Sequence, residues 1–216
     1  MPIDSATSIA GAIDSRHRRS QKATTASPKK VKCHKPARES TKTIVNRLYS
    51  LWSQVVRTRA GNKCEVCGAT GVLDAHHIQP RQICSGLRFD PMNGVCLCKS
   101  HHKFGRQSAH KGMMWFVEWL RQNLPERFSY VMEHLDDELD CGDRVALYGM
   151  EHFLYYKYSD ILGRLPVFTV TVQLKSGIVE DRHVDAHNKK AAEYLSAHSM
   201  GYSDDVKGVI KTAKWK

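Results

Sequence analysis

Ile44, Val45, Leu48, Leu51, Trp52, Val55 and Val56 recur at steps of three and four residues, the spacing that gathers apolar side chains on one face of an α-helix. Ser40 or Thr41 can cap that helix, and Gly61-Asn62 can stop it. The pattern then shortens. Val72 to Ile78 and Asn93 to Cys98 are brief apolar runs that predict two strands, separated by a loop over 79–91 that holds Pro80, Gly86 and Pro91. A helix is expected to start near Lys99, which would complete a ββα unit. Helical periodicity returns with Met114, Phe116, Val117, Trp119 and Leu120, and again with Phe128, Tyr130, Val131 and Leu135, where Pro125 is placed to open the second helix. A further helix is expected over 144–158.

After Gly163 to Pro166 the period changes to two. Val167 to Leu174 alternates, Lys175-Ser-Gly177 turns, 179–184 reads as a returning strand, 191–197 as a helix and 206–213 as a strand. The chain is therefore expected to be α+β, with a small α+β module over 166–216 following a helical connector over 136–165. Residues 1–39 are rich in Ser, Thr, Ala, Lys and Arg and poor in large apolar side chains. Such a segment cannot offset the entropy of ordering, so a flexible arm is the expectation.

Charge sharpens this picture. The formal net charge is +11, and it is all contributed by residues 1–63, which hold 14 Lys+Arg against 3 Asp+Glu. A basic arm attracts a polyanion by releasing condensed counterions from its phosphates, so nucleic acid is the partner the charge suggests. No run of about 18 apolar residues is present to span a membrane, and MPIDSATSIAGAIDS lacks the basic start and apolar stretch of a signal peptide. A cytoplasmic protein with no membrane contact is expected.

Three of the seven cysteines, with one histidine, fall in two short pairs. Cys64 and Cys67 form C-x2-C, and after a gap of 30 residues Cys98 and His101 form C-x2-H. Two such turns drawn together satisfy tetrahedral zinc and staple a small core. Cys96 or His102 are open as replacements for His101. Cys33, Cys84 and Cys141 have no spaced partner and read as ordinary thiols.

A zinc staple alone does not call for His76, His77 and His102. Neighbouring strand residues point to opposite faces, so His76 and His77 are suited to two separate tasks. Asp74-Ala-His76-His77-Ile78, Asn93 and Leu97-Cys98-Lys-Ser-His101-His102 together resemble the motif of HNH endonucleases, the ββα-metal fold in its zinc-knuckle form. The flanks, from Leu51-Trp52 to Lys63 and from Ser108 to Lys111 and Trp119, are similar to those of bacteriophage HNH proteins. The resemblance spans about residues 40–135.

It implies His77 as general base, Asn93 as the amide that braces the loop and orients that base, and His76 with His102 as ligands of a catalytic Mg²⁺ or other divalent cation. Some family members add a ligand one helical turn after the last histidine. Here that position is Arg106, which cannot bind metal, and Asp74 is open either as a substitute ligand or as a hydrogen-bonding group. His110 reads as a surface histidine or as a contact to DNA or metal. Lys99, Lys103, Arg106 and Lys111 would lie near a bound phosphate backbone.

The function expected from the sequence is thus metal-dependent hydrolysis of DNA phosphodiester bonds, with structural Zn²⁺ beside the catalytic cation. Two rivals accompany it: a non-catalytic zinc-knuckle DNA-binding module, and a phage–host interaction protein using residues 166–216. A homodimer and a phage or host protein partner through that segment are the other associations considered.

Overall fold

The structure, a computed structural model, describes residues 31–198 and 206–214; most of the basic arm lies outside them. Helix α1 (Thr41–Arg59) begins where Ser40 Oγ accepts from the Thr43 amide at 3.1 Å. It is the element on which the rest is assembled. One stretch of α1, through Ile44, Leu48 and Leu51, joins a core with Leu147 and Leu154, the C-terminal sheet and Ala191, Ala192 and Leu195. The next turns, through Trp52 and Val56, pack on Cys96.

Strands β1 (Leu73–His77) and β2 (Gly94–Cys98) pair antiparallel, His76 opposite Val95 and His77 opposite Gly94. Gly94 is required for space and not for its backbone angles. A Cβ there would stand 2.3 Å from Val56 Cγ2 and 3.2 Å from Trp52 Cζ2. Gly94→Ala is therefore expected to destabilise the fold by about 1–3 kcal/mol through overpacking, read as a lower urea midpoint with an unchanged slope.

The expected helix near Lys99 is present as a single π-helical turn, Ser100–Phe104, with Lys99 as its N-cap, closed by the Gly105 amide on the Ser100 carbonyl at 2.8 Å. The chain then loops back on itself: Ala109 and His110 amides donate to the carbonyls of His101 and His102 at 2.8 and 3.2 Å. Gly112 permits this close return, since a Cβ would lie 2.5 Å from the Arg106 carbonyl oxygen. Helices α2 (Met113–Asn123) and α3 (Pro125–Glu133) follow, the latter opened by its proline. Phe116 and Leu120 of α2 cover Val95 and Leu97 of β2.

Helices α4 (Arg144–Lys157) and α5 (Ser159–Leu162) lead to β3 (Val167–Leu174), β4 (Val179–Asp185), α6 (Lys189–His198) and β5 (Val206–Lys214), with the sheet ordered β4-β3-β5. Alternate residues of β3 are buried, as its period of two requires. This sheet shares its core with α1 and α4, so residues 166–198 and 206–214 are built into the same body as α1. The last part of the segment drawn in the sequence as the arm is also built in. His34 bridges to Val209, the Ala37 amide donates to Glu193 at 3.0 Å, and Glu39 accepts from Arg47, Tyr148 and Asn188. Among the described residues no helix is long and apolar enough to cross a membrane.

Candidate metal centre and active site

The two short pairs come together. The ligand atoms of Cys64, Cys67, Cys98 and His101 all lie within 4.8 Å of one another. Cys98 Sγ is 3.3 Å from His101 Nδ1, Cys64 Sγ is 3.7 Å from it, and Cys67 Sγ is 4.0 Å from Cys98 Sγ. A tetrahedron with metal–ligand bonds of about 2.0–2.3 Å has edges of roughly 3.3–3.8 Å, so the set fits zinc. Burial opposes the Cys64 thiolate, but the backbone amides of Cys98, Cys67 and Val66 outweigh it and hold the thiol below its ordinary value.

Neither alternative fourth ligand is drawn in. Cys96 is fully buried against Trp52 and Val56, where burial and then the Glu65 carboxylate push its thiol up to about 11. His102 belongs to a second cluster.

That second cluster unites His76, His102 and His110, whose ligand nitrogens also lie within 4.8 Å of one another. His76 projects from the face of β1 that meets α2, its ring 5.4 Å from that of Phe116. Burial, then the neighbouring His102, His110 and His77, hold its imidazole down at about 3, so it presents a neutral ring. His102 Nδ1 is 2.7 Å from Asp74 Oδ2, and Lys99 Nζ donates to both Asp74 oxygens at 2.8 and 2.7 Å. Burial alone would raise the Asp74 carboxyl, yet the bonds from Lys99 and His102 bring it below its usual range. An ionised carboxylate only accepts, so Nδ1 of His102 carries the proton and Nε2 is left with its lone pair.

That lone pair faces His110 Nε2 at 3.2 Å. Cations bound at about 2.0–2.1 Å in octahedral geometry hold neighbouring ligands roughly 3 Å apart, so the three imidazoles fit one divalent ion. Asp74 takes the hydrogen-bonding role of the two open to it. His110 is the histidine that sequence reasoning left undecided; it arrives through the loop closed by its own amide on His102. The exposed Arg106 is outside the cluster.

His77 points to the other face of β1. Its ring stacks on Trp52 with centroids 3.8 Å apart and planes 10° from parallel. Trp52 is itself fixed by its indole N–H, which donates to the Asp90 carbonyl at 2.9 Å. His77 Nε2 lies 2.9 Å from the Arg88 carbonyl oxygen. A carbonyl accepts, so Nε2–H is the donor and Nδ1 carries a free lone pair. Burial lowers this imidazole's pKa; the bond to the Arg88 carbonyl opposes it, the Arg81 and Arg88 guanidinium charges add to the lowering, and the net shift favours the neutral ring.

Asn93 is fully buried and makes three bonds. Its Oδ1 accepts from the Gln79 amide at 2.7 Å, and Nδ2 donates to the carbonyls of Gln79 and Leu87, both at 3.0 Å. It thereby clamps the two ends of the 79–93 loop, and the Leu87 bond fixes the residue adjacent to the carbonyl that holds His77. His76, His77, His102 and His110 border one cavity of about 900 Å³.

Residues 64–105 match the family model described as HNH endonuclease. This segment is an HNH domain. Both the zinc-type set and the His76–His102 pair fall within the match. His110, Trp52 and the C-terminal sheet lie outside it. The comparisons with curated proteins and with solved structures found no match for the chain.

Proposed function

We propose that the protein is a divalent-metal-dependent endonuclease that hydrolyses DNA phosphodiester bonds, with His77 as general base. One observation carries this reading: a neutral imidazole with a free Nδ1 and a three-imidazole cation site open into the same cavity. His76, His102 and His110 would hold a divalent cation, which would supply charge neutralisation at the phosphate and at the departing oxygen. His77 Nδ1 takes a proton from water as the water oxygen attacks phosphorus, while the Arg88 carbonyl and the Trp52 face keep the ring from turning. Asn93 holds the loop that bears that carbonyl. Zn²⁺ at Cys64, Cys67, Cys98 and His101 is structural in this scheme.

Imidazole-only donors suit borderline ions better than hard Mg²⁺, for which carboxylate and water are the usual partners. Mn²⁺ or Ni²⁺ is therefore expected to support cleavage at lower concentration than Mg²⁺. The test is conversion of supercoiled plasmid to nicked or linear DNA by the zinc-loaded chain, with each ion titrated. Failure to cleave with any of them would defeat the proposal.

Asp74 gives a finer check, because it sets the tautomer of His102. Asp74→Asn is expected to raise the activating ion concentration about 10–100-fold, measured as the midpoint of that titration. An unchanged midpoint would show that Asp74 does not orient a ligand.

A further inference from the structure

The cavity that holds the four histidines does not end with them. It continues between the 78–83 loop and helices α2 and α3 as an apolar groove, whose walls include Ile83, Met113, Phe116, Val117, Phe128 and Met132. Several of these are left open to solvent: Ile83 is 71% exposed, Met113 68% and Met132 53%. Hydrolysis of a phosphate needs none of this surface. The volume of about 900 Å³ falls within the range of about 300–1,000 Å³ typical of sites that enclose small organic groups.

Charge tells which kind of group. Arg81 and Lys103 line the same cavity, and among the described residues no carboxylate lines it. Neither cation is paired with a carboxylate among the described residues, and the Arg81 guanidinium lies 4.9 Å from the Tyr49 ring centroid. Cations near the histidines with apolar walls beyond them match a strand whose phosphate is held at one end and whose base is inserted at the other. In an intact duplex the bases are stacked and paired inside the helix, so none can enter such a groove. A base that is already unpaired enters without the cost of extrusion.

We infer that the groove receives an unpaired nucleotide next to the scissile phosphate, so that the preferred substrate is DNA with a bulged or single-stranded position. The inference rests on the nuclease reading above and adds the substrate class to it. Apolar and aromatic contacts suit this task because every base has a face to stack, whatever its sequence.

The test uses the full zinc-loaded chain, Mn²⁺ and two end-labelled duplexes of one sequence, one intact and one with a single-nucleotide bulge. Cleavage beside the bulge is expected to be at least about tenfold faster than at the same position in the intact duplex, the scale of base stacking on protein side chains. The double variant V117N/M132Q, which makes the rim polar, is expected to bring this ratio towards one. Y156S, at a residue 88% exposed on α4 and outside the cavity lining, should leave it as it was. A second readout is the fluorescence change of 2-aminopurine at the bulge on binding without activating ion, present in the wild type and lost in V117N/M132Q. Equal rates on the two duplexes, or a ratio and fluorescence change indifferent to V117N/M132Q, would overturn the inference. So would a concentration-dependent dimer that the double variant dissociates, since a second copy would then cover the groove. If neither duplex is cut, the nuclease reading fails and the fluorescence change alone decides the groove.

Discussion

Alanine at position 77 is expected to lower DNA cleavage about 10²–10⁴-fold, the usual contribution of a positioned general base, while zinc content and DNA binding persist. The geometry accounts for the specificity of that loss. His77 stands on the α1 face of β1, held by Trp52 and the Arg88 carbonyl, whereas the cation ligands stand on the α2 face and in the loop beyond it. Removing the ring at 77 therefore leaves His76, His102 and His110 in place, and raising the metal concentration restores nothing.

Alanine at 102 or 110 should behave differently, since each removes a ligand from a shared ion. Part of the lost activity is expected to return when Mn²⁺ is raised or replaced by a more tightly held ion such as Ni²⁺. Parallel titrations of the three variants against cleavage rate provide the measurement. Equal rescue of all three, or of none, would mean that base and ligands have been assigned wrongly.

The largest effect on folding is expected from Cys64→Ser. Cys64 is buried within the small core formed by Val95, Leu97, Ala109, Phe116 and Leu120, and its amide bonds to the Ala69 carbonyl at 2.8 Å to close the first thiolate turn. The site joins that turn to the end of β2, so the metal ties together two segments that lie 30 residues apart in the chain. Apparent binding energies of structural zinc reach about 10–16 kcal/mol in small domains, a magnitude comparable to a whole domain's stability. The variant is accordingly expected to lose its metal, measured by elemental analysis, and to lose the cooperative melting of the HNH segment. A metal-free Cys64→Ser protein that melts like the wild type would refute the structural role of the site. His101 supplies a built-in probe of the same event, because its ring lies 6.2 Å from that of Trp115, so tryptophan fluorescence should change on zinc removal.

Much of this architecture is legible in the sequence because it is local. Helix α1 starts at its Ser40 cap and ends before Gly61-Asn62, and α4 over 144–157 and the strands over 167–174, 179–185 and 206–214 follow their periodicities. The four zinc-type ligands are legible too, since two residues between ligands define a turn that can hold both on one ion. Sequence resemblance likewise singled out His77, Asn93, His76 and His102.

What stayed open depended on contacts between distant segments. No local pattern marks His110: it reaches His102 because the 101–112 loop folds back, and Gly112 allows the approach. Asp74 could be a ligand or a hydrogen-bonding partner until the pairing of β1 with β2 set it beside Lys99 and His102. Trp52 reads from its periodicity as core packing, and only the crossing of α1 over Gly94 turns its face towards His77. The same holds for residues 34–39, 166–198 and 206–214, which composition separates into an arm and a module but which a shared core and the bonds of Glu39 and Glu193 join to α1. Periodicity and spacing follow from the geometry of a single helix, strand or turn, so the sequence by itself determines them. Which faces meet is decided by shape and by the satisfaction of buried polar groups across the whole fold, and that only the tertiary structure resolves.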